Sequence, residues 1–397
     1  MARFGDGMCS DSDLVLAAER ATEQALAPLG GRRPDLVCVF VCAPDPDDVE
    51  AVATRVAALA DPHHLIGCTA AGVIGGSTAV EHVASVSVWA AVLPGVTVRT
   101  FDLEVLRADD GVAIVGMPAP RTDDRVCLLL GDPYSFPADR FVERANGELP
   151  GLPIAGGMAS GLGGPGSSRL LVDTRVLERG AVGAMLSGHL GVTTVVSQGC
   201  RPVGPSMVVT ASDGHTLLSL AGTAALDKLE QVVADLSAED QALASMGMHL
   251  GIVIDEYADE HERGGFLVRN VVGADRERRG VIVGDAVPVG RTVRFQVRDS
   301  EAASDDLNAM LATARSASHM QHVEGALLFS CTGRGEHLFA AADHDVAALR
   351  EHFEQVPVAG FFANGEIGAV GGRNHLHGFT ASIVTFSPPL TLLRADA

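Results

Sequence analysis

The sequence predicts an α/β or α+β protein with layered mixed sheets, helices on the outside, and two tightly packed parts. Two observations predict this class: an apolar strand followed by a glycine-rich turn occurs three times, and helical periodicity alternates with β-rich stretches along the chain. The composition agrees, because 47% hydrophobic and 20% charged residues are ordinary values for a globular protein. The 397 residues are enough for two or three compact units.

One repeated pattern accounts for most of the predicted fold. It consists of a short apolar strand, a variable acidic loop and helix, and a turn of the form Gly-x-x-Ala-x-Gly. The first glycine of the turn follows the start of the strand by 30, 30 and 34 residues. Each copy therefore predicts a strand–helix–glycine turn–strand unit, in which glycine lets the backbone turn tightly between helix and sheet. The strands are 37–41, 126–130 and 326–330, and the turns are 67–72, 156–161 and 360–365.

Helices are predicted where apolar residues recur every three or four positions behind a capping residue. The opening helix follows cap material at 10–13. The helix of the first repeat is capped by Asp45, with Pro46 in its first turn. The helix of the third repeat starts at Asp343 or Asp345.

Extended stretches follow the glycine turns, and a domain boundary follows a helix that ends near residue 236. The three extended stretches are 83–98, 181–196 and 379–386. Beyond the boundary we expect strands at 250–254, 266–272 and 293–297 and a helix that starts at Ser304. The expected organisation is an N-terminal helix over 1–32, a first domain over 33–236 and a second domain over 237–388.

The charge balance disfavours several classes of partner. Twenty-nine Lys and Arg against 50 Asp and Glu give a net charge of −21, which repels nucleic acid and anionic lipid. Lys228 is the only lysine and lies in an ordinary helical pattern, which disfavours Schiff-base and P-loop chemistry. The longest uncharged stretch, 180–200, contains five glycines, so we interpret it as two buried strands around a turn.

The cysteines and the N-terminus indicate a cytoplasmic protein. The seven cysteines are scattered, odd in number and include no Cys-x-x-Cys pair, which is typical of a reducing compartment. The first residues open no apolar signal segment. We therefore expect a cytoplasmic protein without membrane insertion.

Histidines and cysteines give no complete metal or catalytic motif. No spacing completes a set of three or four metal ligands, so we expect no metal and no cofactor. Cys68 and Cys331 lie in the glycine-turn and strand-end motifs, where a buried, inert thiol is the common outcome. Either would be a nucleophile only with a base nearby. The candidate bases are His63, His64, His375 and His377.

Four segments carry motifs in a recognisable order. Residues 66–72 contain the first glycine turn, and residues 198–205 contain a later motif. Residues 329–335 and 357–368 form a second pair of motifs. Together they resemble the FIST family of sensory domains, with a FIST N-like first domain and a FIST C-like second domain. The resemblance implies signal transduction through the sensing of small molecules such as amino acids. No output module is left once both parts are assigned, so the resemblance is to a stand-alone form read by a separate output protein.

The loop after the third apolar strand is a candidate ligand site, because loops at strand ends carry ligands in α/β folds. Its glycines let the backbone approach a ligand, and the guanidinium of Arg334 can hold a carboxylate through two N–H groups. The alternative is that Arg334 pairs with Glu366 or Glu336 and ties the sheet together. The candidate residues of this loop are Cys331, Gly333, Arg334 and Gly335.

The third glycine turn is the only copy that carries a charge, at Glu366. Asn364 tolerates a left-handed backbone, and Glu366 can meet a ligand ammonium group; turn chemistry alone is the alternative. Gln198 and Arg201 precede a turn-prone, proline-containing stretch, where Arg201 is either a second anion contact or a structural brace. The candidates of the third turn are Asn364, Gly365 and Glu366.

These motifs predict a cleft between the two parts that binds a small zwitterion, with the carboxylate on Arg334 and the ammonium on Glu366. The cleft is lined by 331–335 and 364–366, with 198–201 and Cys68 as further candidates. Two other functions stay open. One is a Cys-dependent enzyme acting on an acyl or amino-acid-like substrate, and the other is a protein-interaction scaffold without a small ligand.

Overall fold

The computed structural model of the protein describes residues 1–108, 111–258, 264–317 and 322–389, and it confirms a mixed α/β fold. Helices and strands alternate through the first 190 residues and again after residue 300. The helices are α1 (Leu14–Leu26), α2 (Asp48–Ala60), α3 (Ala138–Glu148), α4 (Ala225–Asp235), α5 (Ala238–Met246), α6 (Ser300–Ala317), α7 (Gly335–Phe339) and α8 (His344–His352).

The strands of the described residues form four sheets. The first strands of the chain are β1 (Arg3–Ser10), β2 (Leu36–Cys42), β3 (His64–Thr69), β4 (Gly72–Gly75), β5 (Thr78–Glu81), β6 (Ser85–Val92), β7 (Val96–Ala108), β8 (Gly111–Val115) and β9 (Asp124–Gly131). They are followed by β10 (Ile154–Met158), β11 (Leu170–Val172), β12 (Arg175–Leu177), β13 (Ala181–Gly188), β14 (Gly191–Gln198), β15 (Cys200–Pro202), β16 (Met207–Asp213), β17 (Thr216–Leu220) and β18 (Thr223–Ala224). The last are β19 (Met248–Val253), β20 (Phe266–Asp275), β21 (Gly280–Val283), β22 (Thr292–Arg298), β23 (Gly325–Cys331), β24 (Val358–Ala363), β25 (Glu366–Val370), β26 (Arg373–His377) and β27 (Thr380–Ser387).

Two compact units divide these elements. The first unit contains 1–196, 308–376 and 380–397, and the second contains 197–307 and 377–379. The predicted boundary between residues 236 and 237 falls inside the second unit, between α4 and α5. The three-segment division drawn from the sequence stays a prediction.

The three predicted repeats are equivalent in strand direction and neighbour order, as the sequence pattern requires. In each repeat the apolar strand pairs in parallel with the strand of the glycine motif: β2 with β3, β9 with β10, and β23 with β24. On its other side each apolar strand has an antiparallel neighbour, which is β6, β13 or β27. All three repeats belong to the first unit.

The repeats exchange hairpins in a cycle, which the sequence did not predict. The hairpin β4–β5 follows the first glycine motif but pairs with β24 of the third repeat. The hairpin β11–β12 follows the second motif and pairs with β3 of the first repeat. The strand β25 follows the third motif and pairs with β10 of the second repeat. Each sheet of the first unit is thus completed by a neighbouring repeat.

The first glycine of each motif lies inside a strand instead of in a turn, which corrects the sequence interpretation. Gly67 lies opposite Val39 in the parallel pair β2–β3, and a β-carbon at Gly67 would overlap the carbonyl oxygen of Val39. Gly156 and Gly360 have the same relation to the apolar strands of their own repeats. The glycine is therefore required by the close approach of two strands, and the chain turns only after the following alanine.

The three motifs meet at the centre of the first unit. The alanines of the motifs, Ala70, Ala159 and Ala363, are fully buried in one apolar cluster shared by the three sheets. Ser160 joins the turns, because its hydroxyl donates to the carbonyl of Phe362 and accepts the N–H of Ala71 at 2.9 Å. Helices α1 and α2 cover the outer face of the first sheet through a separate apolar cluster.

The N-terminal elements differ from the sequence prediction in two ways. The strand β1 precedes the opening helix and pairs with β6 along its whole length. The helix α1 is capped as predicted by Asp13, whose carboxylate accepts the N–H groups of Val15 and Leu16. The helix α2 begins at Asp48, two residues later than expected, because Asp45 accepts the N–H of Asp47 and forms a turn ahead of the helix.

The second unit is built around its own sheet. Strand β19 pairs with both β20 and β22, so this sheet closes on itself around an apolar interior. The strands expected at 250–254, 266–272 and 293–297 are confirmed as β19, β20 and β22. The helix α6 begins at Ser300 instead of Ser304, since Asp299 accepts the N–H of Ala302 at 3.0 Å.

The uncharged stretch 180–200 forms the two strands β13 and β14 around a turn, as the sequence predicts. Among the described residues, no helix is both long and apolar enough to cross a membrane.

Candidate functional site

The candidate loop leaves the carboxyl end of β23 and leads directly into the short helix α7. Arg334 is fully buried although it lies in this loop. Gly335 has a φ of +47°, and a side chain there would overlap the carboxylate of Glu81, which accepts the N–H of Glu336 at 2.8 Å. The glycine therefore allows Glu81 of the first repeat to hold the start of α7 while Arg334 turns inward.

Arg334 forms a two-point ion pair with Asp345 of α8. Its Nε and Nη2 atoms donate to the carboxylate at 2.7 and 2.8 Å, and both side chains are almost completely buried. Ser330 donates to the same carboxylate at 2.6 Å. Burial alone would raise the pKa of Asp345, but the charge and hydrogen bonds of Arg334 outweigh it and hold that pKa below its ordinary value.

This pair corrects the sequence analysis, which named Glu366 or Glu336 as the alternative partner of Arg334. Asp345 was expected only as a possible helix cap, yet it lies one turn before Leu349 on the buried face of α8. The sequence did contain a signal for the burial of Asp345. Asp345 lies on the same face of the helix as the apolar residues Val346 and Leu349. Ser330 and Thr380, which also bond to the cluster, carried no comparable signal in the sequence.

Glu366 opens β25 directly after the third glycine motif and is fully buried. Its Oε2 atom accepts the N–H and the hydroxyl of Thr380 at 3.1 and 2.9 Å, and the thiol of Cys331 donates to the same carboxyl group. Burial raises the pKa of Glu366 to about 8, against the lowering effect of the Thr380 hydrogen bonds. Glu366 is therefore mainly protonated at neutral pH.

Two polar atoms of this cluster stay without a hydrogen-bond partner within the described part of the chain. They are Nη1 of Arg334 and Oε1 of Glu366, and both are buried. Glu366 also acts electrostatically on Arg334, so the two side chains are close enough to interact. Buried polar atoms are nearly always paired in proteins, so each of these two atoms calls for an explanation.

An aromatic stack covers the guanidinium group. The ring of Phe339 lies 5.2 Å from Cζ of Arg334 and stacks on the imidazole of His344 at a centroid distance of 3.5 Å. Phe339 and His344 are both partly exposed, whereas Arg334 is not. This stack therefore lies between the ion pair and the solvent.

The remaining residues of the third turn contribute mainly backbone contacts. Asn364 is exposed, and its N–H donates to the carbonyl of Met158 at 2.9 Å. Gly365 has a φ of +117°, and its carbonyl accepts the N–H of Met158 at 2.8 Å. These bonds tie the third turn to β10. Cys331 and Gly333 lie beside the cluster, since the N–H of Gly333 meets the Cys331 sulphur at 3.4 Å.

Gln198 and Arg201 belong to the second unit and have partners there. The amide of Gln198 donates to the carbonyl of Phe266 at 2.6 Å. Arg201 pairs with Asp299 at 2.5 Å and with Asp240. Burial opposes the charge of Arg201, but the two aspartates raise its pKa above the ordinary value. Arg201 is thus held by two aspartates of its own unit.

Cys68 lies inside β3 with no exposed surface, in the central apolar cluster. Burial, and secondarily the neighbouring Cys38, raises the pKa of the Cys68 thiol well above its ordinary value. A thiol held in this neutral form is a poor nucleophile. Among the described residues, no group of three or more His, Cys, Asp or Glu side chains is arranged to hold a metal ion.

Comparison with known proteins supplies the family. The FIST N domain matches residues 35–223, and the FIST C domain matches residues 225–369. An uncharacterized protein of Mycobacterium bovis is 40% identical over 385 residues, which cover 97% of this chain and 98% of the relative. An uncharacterized protein of Mycobacterium tuberculosis is also 40% identical over 385 residues, covering 97% of this chain and 99% of the relative. The chain therefore belongs to the FIST family, whose domains are generally sensory domains in signal transduction.

Proposed function

We propose that this protein senses a small zwitterion of the amino-acid class, bound between Arg334 and Glu366. The observation that supports the proposal is the pair of buried atoms without a partner, a guanidinium N–H donor and a carboxyl oxygen, in one cluster. A buried polar group without a partner costs about 1–3 kcal/mol. A ligand that offers one carboxylate and one ammonium group satisfies both atoms at once.

The geometry refines how the ligand is held. Asp345 already occupies Nε and Nη2 of Arg334, so the ligand carboxylate is limited to Nη1. Asp345 thus acts as a positioning residue that fixes the guanidinium plane. The ammonium group lies at Oε1 of Glu366, where its positive charge lowers the pKa of the carboxyl group. Binding at neutral pH therefore releases a proton from Glu366.

Access to this site requires the covering stack to move. Phe339 lies at the end of the five-residue helix α7, and Ala340 follows it in a left-handed conformation with a φ of +56°. A short helix with such an end has few hydrogen bonds to lose when it opens. We propose that Phe339 and His344 separate to admit the ligand and stack again over it. A separate output protein then reads the ligand-bound state.

We also propose in which cellular compartment the protein works. No disulfide joins any of the seven cysteines, all of which lie in the described part of the chain. Reduced thiols agree with a reducing compartment, and we propose that sensing takes place in the cytoplasm.

Thermal unfolding with an amino-acid panel tests the binding proposal. At least one panel member should raise the melting temperature of the wild-type protein, because only a ligand that binds the native state stabilises it. Glu366→Gln should lose that rise, whereas Asn364→Ala, an exposed change in the same turn, should keep it. A panel that never shifts the wild-type protein, or an equal shift in Glu366→Gln, would contradict the proposal.

Cys331→Ser separates sensing from catalysis. Serine keeps an O–H donor for Glu366, so we expect the variant to retain the melting-temperature rise. Alkylation of Cys331 with a bulky reagent should abolish the rise by filling the space beside Glu366. Turnover of a panel compound by the wild-type protein and its loss in Cys331→Ser would favour a Cys-dependent enzyme instead.

A further inference from the structure

The thiol of Cys331 differs from the other buried thiols of the first unit in its access to solvent. Cys331 ends β23 and keeps 8% of its surface exposed. The others have no exposed surface; they are Cys38, Cys42, Cys68 and Cys127. A small oxidant therefore reaches Cys331 more readily than it reaches the thiols of the interior.

The neighbours of the Cys331 sulphur also set this thiol apart, and all of them belong to the first unit. The N–H of Gly333 donates to Sγ at 3.4 Å. The thiol itself donates to the carboxyl group of Glu366, and its sulphur interacts electrostatically with Arg334. An N–H donor and a nearby cation stabilise a thiolate, and a carboxylate can accept the thiol proton. Glu366 thus supplies the base that a nucleophilic cysteine needs.

The same cluster holds a hydrogen-bond donor for an oxygen atom that leaves during a reaction. Nη1 of Arg334 is buried and has no hydrogen-bond partner within the described residues. Asp345 holds the other two nitrogen atoms, Nε and Nη2, and so fixes the plane of the guanidinium group. A donor that is already in position stabilises negative charge as it develops on a leaving oxygen.

We infer that Cys331 is a modification site, at which a hydroperoxide oxidises the thiol to a sulfenic acid. Glu366 in its ionised form takes the proton of the thiol. The thiolate sulphur attacks one peroxide oxygen, so an S–O bond forms while the O–O bond breaks. The other oxygen leaves beside Nη1 of Arg334 and takes the proton from Glu366, which gives water or an alcohol. Sulphur loses two electrons, and the peroxide gains them.

This reaction goes beyond the sensing of a zwitterion, because it needs only the cluster and the hydroperoxide. It uses the same guanidinium nitrogen and the same carboxyl group, so a sulfenic oxygen at this place and a bound zwitterion exclude each other. The amino-acid panel tests the ligand through the melting temperature, whereas the oxidation is measured by mass. Failure of one result therefore leaves the other standing.

The wild-type chain contains its own control in Cys9. Cys9 is more exposed than Cys331, but its sulphur lies 3.9 Å from the carbonyl oxygen of Ser10, which is a far weaker base than a carboxylate. The protein is treated with an equimolar amount of hydrogen peroxide at about pH 8, where Glu366 is partly ionised. Catalase stops the reaction, and unfolding in an alkylating reagent then blocks every remaining thiol. Mass spectrometry of the peptides gives the oxidised fraction of each cysteine.

Cys331 should oxidise about tenfold faster than Cys9 or more, because a positioned base speeds proton transfer. A parallel sample is unfolded in a 1,3-dicarbonyl compound, which labels sulfenic acid, and the label should appear on Cys331. If oxidation followed exposure alone, Cys9 would react first.

Glu366→Gln tests the proton acceptor. Glutamine cannot take the thiol proton, so oxidation of Cys331 should slow by about tenfold or more while that of Cys9 stays unchanged. Asn364→Ala, an exposed change in the same turn, should leave both rates unchanged. The comparison of the two cysteines within the wild-type chain decides the matter even if Glu366→Gln does not fold.

Three results would overturn the inference. One is oxidation of Cys9 at the same rate as Cys331 or faster. Another is an unchanged rate at Cys331 in Glu366→Gln. The third is loss of the Cys331 thiol without the dicarbonyl label, because the product would then not be a sulfenic acid.

Discussion

At the scale of single residues, the proposed site contains two buried ionisable groups with different roles. Arg334 is committed to Asp345 by two of its nitrogen atoms, so much of its contribution is structural. Glu366 is held by Thr380 on one oxygen only, and its pKa of about 8 lets it exchange a proton near neutral pH. Substitutions at these two positions should therefore have opposite consequences for stability.

Arg334→Ala should lower the free energy of unfolding by about 3–5 kcal/mol, because it leaves the carboxylate of Asp345 buried without its cation. The double variant Arg334→Met with Asp345→Leu should recover most of this loss, since apolar side chains of similar volume replace the whole pair. Urea unfolding of the three proteins at neutral pH measures the difference. A loss below about 1 kcal/mol in Arg334→Ala would show that the pair is exposed to solvent instead.

Because of Glu366, the free energy of unfolding should decrease as the pH rises. Its pKa increases from 4.5 to about 8 on folding, so the folded state binds the proton more tightly across that interval. The stabilisation is complete below about pH 4.5, decreases between that value and about pH 8, and is constant above. The groups that face Glu366 are Arg334, Cys331, Thr380 and the N–H of Gly365.

Glu366→Gln should remove this component, because glutamine resembles the protonated carboxyl group and does not titrate. The measurement is the free energy of unfolding of both proteins from pH 5 to 9, and the quantity of interest is the difference between them. A difference that stays constant across this interval would mean that Glu366 keeps an ordinary pKa in the folded protein.

At the scale of elements, the main role of the glycine motif is to let two parallel strands pack closely, and the turn comes only after it. The spacing of Gly-x-x-Ala-x-Gly behind each apolar strand was enough to predict three equivalent units, and the parallel pairs β2–β3, β9–β10 and β23–β24 confirm them. The sequence placed the first glycine in a turn because it contains no information on which backbone approaches it. Strand β1 was not predicted for the same reason, since the sequence does not show which backbone packs against its glycines. Gly5 and Gly7 interrupt its apolar alternation, and both are required by the close approach of α1.

Gly360→Ala should strongly destabilise the protein, because its methyl group would overlap the carbonyl oxygen of Leu328 in β23. Overpacking of this kind costs about 1–3 kcal/mol and sometimes more. Gly147→Ala in α3 is the matched control, since no atom lies within 4 Å of the new methyl group and alanine favours a helix. Thermal unfolding compares them. Equal stability of the two variants would contradict the packing role of the motif.

At the scale of the whole molecule, the family and the mixed α/β class follow from local patterns, whereas the hairpin exchange does not. Each glycine motif specifies that a hairpin comes next, but not which sheet it joins, because that choice depends on contacts between residues hundreds of positions apart. Strand β4, for example, pairs with β24 almost 290 residues later. The proposed site shows the same limit: Arg334 and Glu366 were chosen from their motifs, Asp345 was expected only as a possible helix cap, and Thr380 was not identified from the sequence.

The central claim is that Arg334 and Glu366 form one binding site whose occupation changes the protonation of Glu366. Isothermal titration calorimetry tests it most directly, with a panel amino acid titrated at pH 7 in two buffers of different ionisation enthalpy. We predict that the wild-type protein releases a proton on binding, so the two buffers give different heats, and that Glu366→Gln shows no such difference. Binding with identical heats in both buffers, or unchanged proton release in Glu366→Gln, would contradict the claim.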